Sequence, residues 1–223
     1  MKNIHLYLIL SIIFSLLLLF FRIFLTHSVF YSFLVWNLIL AAIPLFVTII
    51  IDKSNLVKHN KVLFFAGFIF WILFLPNSPY ILTDFVHFKL SSPMPVWFDI
   101  LLLISFSFNG LILGIISMIK MQKILSPYLS VKKLLILMLA VSILCGFGIY
   151  LGRFLRYNSW DMLTSPELII TEVYHRIMYP FKHLKTWGVT FGFGGLVWLT
   201  FNVTNEITKL NLNQKPYKNQ DAF

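Results

Sequence analysis

The chain has 223 residues, of which 59% are hydrophobic and only 12% charged, with a formal net charge of +10. A soluble domain carries roughly a quarter charged residues, so this composition excludes a water-soluble fold. The excess of base would point to nucleic acid in a soluble protein. Here the Lys and Arg residues flank apolar runs with no nucleic-acid-binding motif beside them, so no nucleic-acid partner is expected and membrane lipids are.

The apolar runs reach the roughly 20 residues needed to cross a hydrocarbon core as helix. They predict an all-α fold, a helical transmembrane bundle of about six spans with a short outer interfacial helix. The spans fall at residues 4–25, 30–51, 62–75, 97–119, 134–151 and 187–203, within one polytopic membrane domain at 1–205. The first run is longer than a signal-peptide core and has no small-x-small cleavage site, so it reads as a retained helix. Residues 206–223 are polar and rich in Asn and Lys, which predicts a disordered cytoplasmic tail.

Six spans put both termini on one side, and Lys and Arg are more numerous there than on the other. The segment KMQKILSPYLSVKK, with four lysines and no acid, is the strongest single vote. By the positive-inside bias, both termini face the cytoplasm.

The third span is short because Pro76 and Pro79 interrupt it. Two backbone donors are lost in Pro76-Asn77-Ser78-Pro79, and the freed carbonyls need partners from protein or from water. The segment reads either as a helix stop at the interface or as a broken helix lining a site through Asn77. Beyond it, Thr83, Asp84 and His87 share one face of a short helix. An Asp three residues from a His is able to orient an imidazole for general-base work, although a His at this depth is also an ordinary boundary residue.

Asp99 opens the fourth span beside Trp97, where it suits the positive end of the helix. Asn109 lies near mid-bilayer and needs a partner on another helix. Arg153 and Arg156 end the fifth span, three apart and on one face if the helix continues. Three roles compete for them: lipid phosphates, an ion pair with Asp84, Asp99 or Asp161, or recognition of an anionic substrate.

Asn158, Ser159, Trp160 and Asp161 follow as a polar turn. Ser165, Pro166 and Glu167 read as a helix start, with the helix running to Tyr179. On it Ile169, Val173 and Ile177 form an apolar stripe opposite Glu172, His175 and Arg176. Gly148 with Gly152, and Gly188 with Gly192, have the spacing at which transmembrane helices approach closely. The single cysteine, Cys145, allows no intramolecular disulfide and leaves no Cys pair for a metal motif, so neither metal nor cofactor is expected.

Three strings, LPNSPYILTDFVHF at 75–88, WFDILLLISFSFNGLILG at 97–114 and GFGIYLGRFLRYNSWD at 146–161, together resemble the bacterial multi-pass membrane proteins grouped as domain-of-unknown-function family 1361. The similarity covers about residues 39–204. The resemblance implies a plasma-membrane helical protein and supplies no catalytic residues. Asn77, Asp84, His87, Asp99, Arg153, Arg156, Asp161 and His175 therefore form the candidate outer-face polar site on local chemistry alone. Three functions fit: binding or processing a lipid or lipid-linked anionic ligand, a scaffold or assembly factor contacting another envelope protein, and transport of a small solute.

Overall fold

A computed structural model describes residues 2–88, 93–157, 161–164 and 166–213, and these are helical with short connections. The long helices are α1 (Lys2–Thr26), α2 (Phe33–Lys53), α4 (Lys61–Phe74), α6 (Val96–Leu125), α7 (Val131–Phe154) and α10 (Leu184–Asn213). Shorter ones are α3 (Asn55–His59), α5 (Asn77–Tyr80), α8 (Asp161–Thr164) and α9 (Pro166–Met178), with 3-10 helices at Ile81–His87 and Pro180–His183.

Five segments are long and apolar enough to cross a membrane: Leu6–Thr26, Phe33–Lys53, Lys61–His87, Val96–Leu125 and Val131–Phe154. The sixth expected span lies inside α10, where Thr186, Gly188, Thr190, Gly192, Gly194 and Gly195 dilute the apolar character. This helix nevertheless packs antiparallel along α7: Gly146 faces the Thr190 and Gly194 backbone, and Gly194 faces Ser142 and Ile143. Gly188 and Gly192 are not in that seam, because a Cβ on either would meet nothing within 4 Å. Close approach belongs instead to Thr190 and Gly194, two residues further on and so on the other side of the helix. Without a hydrophobic drive between helices in lipid, small residues and hydrogen bonds at such seams carry association.

α6 is the central element. Of its most apolar stretch 61% is buried, against 17% for α1, which lies at the periphery. Buried apolar side chains form two clusters stacked along the bundle, one around Trp71, Met118, Met121, Met138 and Phe201, the other around Tyr31, Leu34, Ile81, Leu102 and Phe106. Several polar groups inside are partnered, as lipid favours. Trp71 Nε1 donates to Ser117 Oγ at 2.6 Å. Asn109 Nδ2 ties α6 to α1 by donating to the Ser11 carbonyl at 3.1 Å and to Ser15 Oγ at 2.8 Å.

The chain does not unwind at the two prolines. Pro76 keeps right-handed helical dihedrals, and α4 passes through α5 directly into the 3-10 helix. α4 alone rises about 21 Å, and the tighter, longer-rising 3-10 segment supplies the rest of a roughly 30 Å core. The broken segment is wedged between α6 and α7. Ser78 Oγ donates to the Ala41 carbonyl at 2.9 Å and Ser107 Oγ to the Ile81 carbonyl at 3.1 Å, tying the segment to α2 and α6, while the Leu75 carbonyl, freed by Pro79, accepts from the Ser78 N–H at 3.1 Å. Glycine makes room for it: a Cβ on Gly110 would sit 2.6 Å from the Ser78 carbonyl oxygen, and one on Gly148 would sit 2.5 Å from Pro76 Cγ. Gly148 and Gly152 thus receive Pro76 and Tyr80 of the broken helix.

α10 continues to Asn213, so residues 206–213 extend the helix where a tail was expected to begin. Residues 214–223, like Asn158, Ser159, Trp160 and Ser165, lie outside the described residues. The described interfacial helix, α9, covers nearly the predicted range.

Candidate functional site

Alternating helix directions bring the ends of α1, α7 and the 61–87 segment to the starts of α2 and α6, at what we call the arginine end. The 3-10 geometry of Ile81–His87 decides what faces the bundle there. With three residues per turn, Ile81, Asp84 and His87 line up on one side.

Arg153, in the last turn of α7, reaches across to that side. Its Nε donates to Thr83 Oγ1 at 2.7 Å, its Nη1 lies 3.0 Å from His87 Nε2, and its Nη2 pairs with Asp84 Oδ1. The guanidinium also lies over the Tyr80 ring, 4.5 Å from its centroid. Asn37 Nδ2 donates to the other Asp84 oxygen at 2.8 Å, so both oxygens of a carboxylate with 1% exposure are engaged. Because guanidinium only donates, His87 Nε2 is the acceptor of that contact. His87 therefore turns its lone pair to Arg153, and the Asp84 oxygens are engaged by Arg153 and Asn37.

A second pair lies beside the first. Arg22 Nε donates to Asp99 Oδ1 at 2.7 Å and Nη2 to Oδ2 at 3.4 Å, with side-chain exposures of 4% and 0%. Asp99 stands in the first turn of α6, as a helix N-terminus favours. The Arg22 guanidinium lies 4.3 Å from the centroid of Tyr31. The Tyr31 hydroxyl donates to the His87 carbonyl at 3.5 Å, joining the two pairs. Burial, with Asp99 close by, pushes the Tyr31 phenol above its ordinary range, so it remains a neutral donor.

A third arginine anchors α9. Arg176 is 5% exposed; it pairs with Glu172 one turn back, and its Nη2 donates to the Tyr150 hydroxyl at 3.4 Å across that ring. The faces of α9 thus differ from the expected pattern: Ile169 and Arg176 are buried, while Ile177 is exposed with Ile170 and Tyr174. Ile169 and Val173 of the expected stripe do face the bundle, but Arg176, assigned to water by its charge alone, takes the place expected of Ile177. Three guanidiniums, Arg22 and Arg176 buried and Arg153 partly so, each paired to a carboxylate and each laid on a tyrosine ring, define this end of the molecule.

Asp84, His87 and Arg153 come together; Asp99 belongs to Arg22 instead. Arg156, Asp161 and His175 are not among the groups around Arg153. α7 stops at Phe154, and Arg156 takes a left-handed backbone (φ 63°) while the Tyr157 N–H returns to the Leu151 carbonyl at 3.1 Å. That reversal turns Arg156 to the surface, so the two arginines do not share a face. Asp161 opens α8, and His175 is exposed between Tyr174 and Tyr179. Among the described residues no group of three or more His, Cys, Asp or Glu side chains is arranged to hold a metal ion.

Next to the Arg153 network is a cavity of about 420 Å³ walled by α2, α4, α5, α7 and α9. Leu40, Ile72, Leu73 and Leu144 line its deep part, and Ile169 and Val173 of α9 contribute one side. Asn37, Tyr80 and Tyr157 lie toward the arginine end, with Asn77 between. Leu144 to Gly152 along α7 spans about 12 Å at the helical rise, which gives the cavity its length. No acidic or basic side chain is among the described residues that line it.

Sequence reasoning did not find the cavity, nor the roles of Arg22, Tyr31, Asn37, Tyr80 and Tyr150. One signal was legible: a lone Arg in an apolar run, such as Arg22, requires an intramembrane partner. Asn37, a single amide in α2, carried the same message more weakly.

Helices of this length and apolarity, with charge inside only as paired groups, define a membrane-embedded helical protein. A family described as a protein of unknown function, DUF1361, matches residues 36–200, and the chain belongs to that family. No curated protein and no solved structure matches it.

Proposed function

We propose that this protein binds an amphipathic membrane lipid, with the hydrocarbon in the cavity between α2, α4, α7 and α9 and the polar part at Asn37, Tyr80 and Tyr157. The observation that carries this reading is the cavity itself: its volume falls in the 300–1,000 Å³ range of ligand sites, and its lining is apolar with few convergent polar groups. Trp36 and Leu144 on its walls are more than half exposed, as expected of a groove that a lipid enters sideways from the bilayer. Arg153, Asp84 and His87 form the wall behind it and use their hydrogen bonds on one another, so their role is to hold the broken helix in place. The lysine-rich end faces the cytoplasm and the arginine end the outer face of a bacterial plasma membrane, on the charge bias of the loops. Native mass spectrometry of the protein released from mild detergent tests the reading. A lipid adduct on the wild type that is lost in Leu144→Trp, with unchanged thermal unfolding, supports it; bare protein in both rejects it.

A further inference from the structure

The cavity's polar end is unusual for a molecule of net charge +10 in that no charged side chain among the described residues lines it. The nearest guanidinium, Arg153, is committed to Thr83, His87 and Asp84 and is covered on one side by the Tyr80 ring. Arg156 follows the reversal at the end of α7 and is exposed, whereas its neighbour Tyr157 lines the cavity. What remains for a ligand is neutral: the Tyr80 and Tyr157 hydroxyls, which have no partner among the described residues, and the amide carbonyl of Asn37, whose Nδ2 is given to Asp84.

Resting on the lipid-binding reading, we infer that the site selects a lipid whose head is uncharged and bears hydroxyl or carbonyl groups, and excludes phosphate-bearing lipids. The physics is one of desolvation. A phosphate drawn into an apolar cleft without a cation loses its hydration and gains nothing of equal strength, whereas a hydroxyl or ester needs only one or two neutral partners. Two phenols and an amide carbonyl meet that need: the phenols donate and accept, and the carbonyl accepts. Of the two arginines for which a lipid phosphate was one of three candidate partners, Arg153 is withheld by Asp84 and Arg156 lies at the surface.

The test uses the full chain in vesicles of an uncharged-detergent-free phosphatidylcholine background. These are doped with diacylglycerol or with phosphatidic acid of the same chains, each carrying a diazirine in one acyl tail. Peptides spanning the α7 wall from Leu144 to Gly152 are then scored for label. Diacylglycerol is expected to label them at least about tenfold more than phosphatidic acid, since a charge desolvated without a partner costs more than the free energy a tenfold preference represents. Tyr80→Phe combined with Tyr157→Phe keeps both rings, so the fold is retained, and is expected to reduce that preference while tail labelling of α7 persists. Equal or stronger labelling by phosphatidic acid overturns the head-group inference and leaves the lipid site standing. Absence of α7 labelling by either probe overturns the lipid site itself.

Discussion

At the arginine end, Arg22 and Arg176 are buried and Arg153 is largely covered, each against a carboxylate and a tyrosine ring. At the opposite end, Lys53, Lys61, Lys123, Lys132 and Lys133 are exposed. Both ends carry cations, yet only one converts them into tertiary structure. The difference follows from side-chain chemistry. Guanidinium is weakly hydrated, planar and able to serve several acceptors at once, so it survives burial when its fork is filled; an ammonium is strongly hydrated and stays at the headgroups. Arginine at the first end therefore specifies how helices meet, and lysine at the second specifies which way the bundle faces.

The largest expected effect breaks the first half of that comparison. Asp99→Ala takes the carboxylate away from the buried Arg22 and is expected to cost about 3–5 kcal/mol, read by unfolding in micelles. Replacing both partners, Arg22→Met with Asp99→Leu, removes the stranded charge and should restore most of the loss, since buried pairs are often no better than packed apolar residues. Next in size, Arg153→Lys keeps the charge but cannot serve Thr83, His87 and Asp84 together; a loss of about 2 kcal/mol is expected in the same assay. Gly110→Ala sharpens the role of the broken helix, because its methyl meets the Ser78 carbonyl: about 1–3 kcal/mol of overpacking is expected. Smallest of all, Lys132→Gln with Lys133→Gln should change stability by less than about 0.5 kcal/mol. A loss there as large as at Arg153 would erase the distinction between the two ends.

Much of the fold was legible because lipid imposes length and apolarity on every span. Five of the six predicted segments are long apolar helices, and the sixth lies within α10. The interfacial helix was legible from Pro166, Glu167 and the pattern that follows. Partnerships were not. Spacing placed Arg153 and Arg156 on one face, but where α7 stops depends on the left-handed turn at Arg156, which a non-glycine residue does not announce. Asp84 and His87 were recognised as neighbours, but the acceptor role of His87 depends on an arginine 66 residues away. Gly148 and Gly152 were read as a helix seam; that they receive a proline and a tyrosine is a matter of which helix arrives there, and periodicity carries no such information. The cavity is made by five elements at once, so no local pattern encodes it.

The central claim is that the space between α2, α4, α7 and α9 belongs to a lipid with an uncharged head. An experimental density map of the protein in lipid nanodiscs tests it most directly. The expected result is tubular density running from Leu144 to a head beside Tyr80 and Tyr157, with the Arg153 guanidinium still on Asp84. A groove collapsed onto its own side chains, or a phosphate seated on Arg153 with Asp84 released, would contradict it.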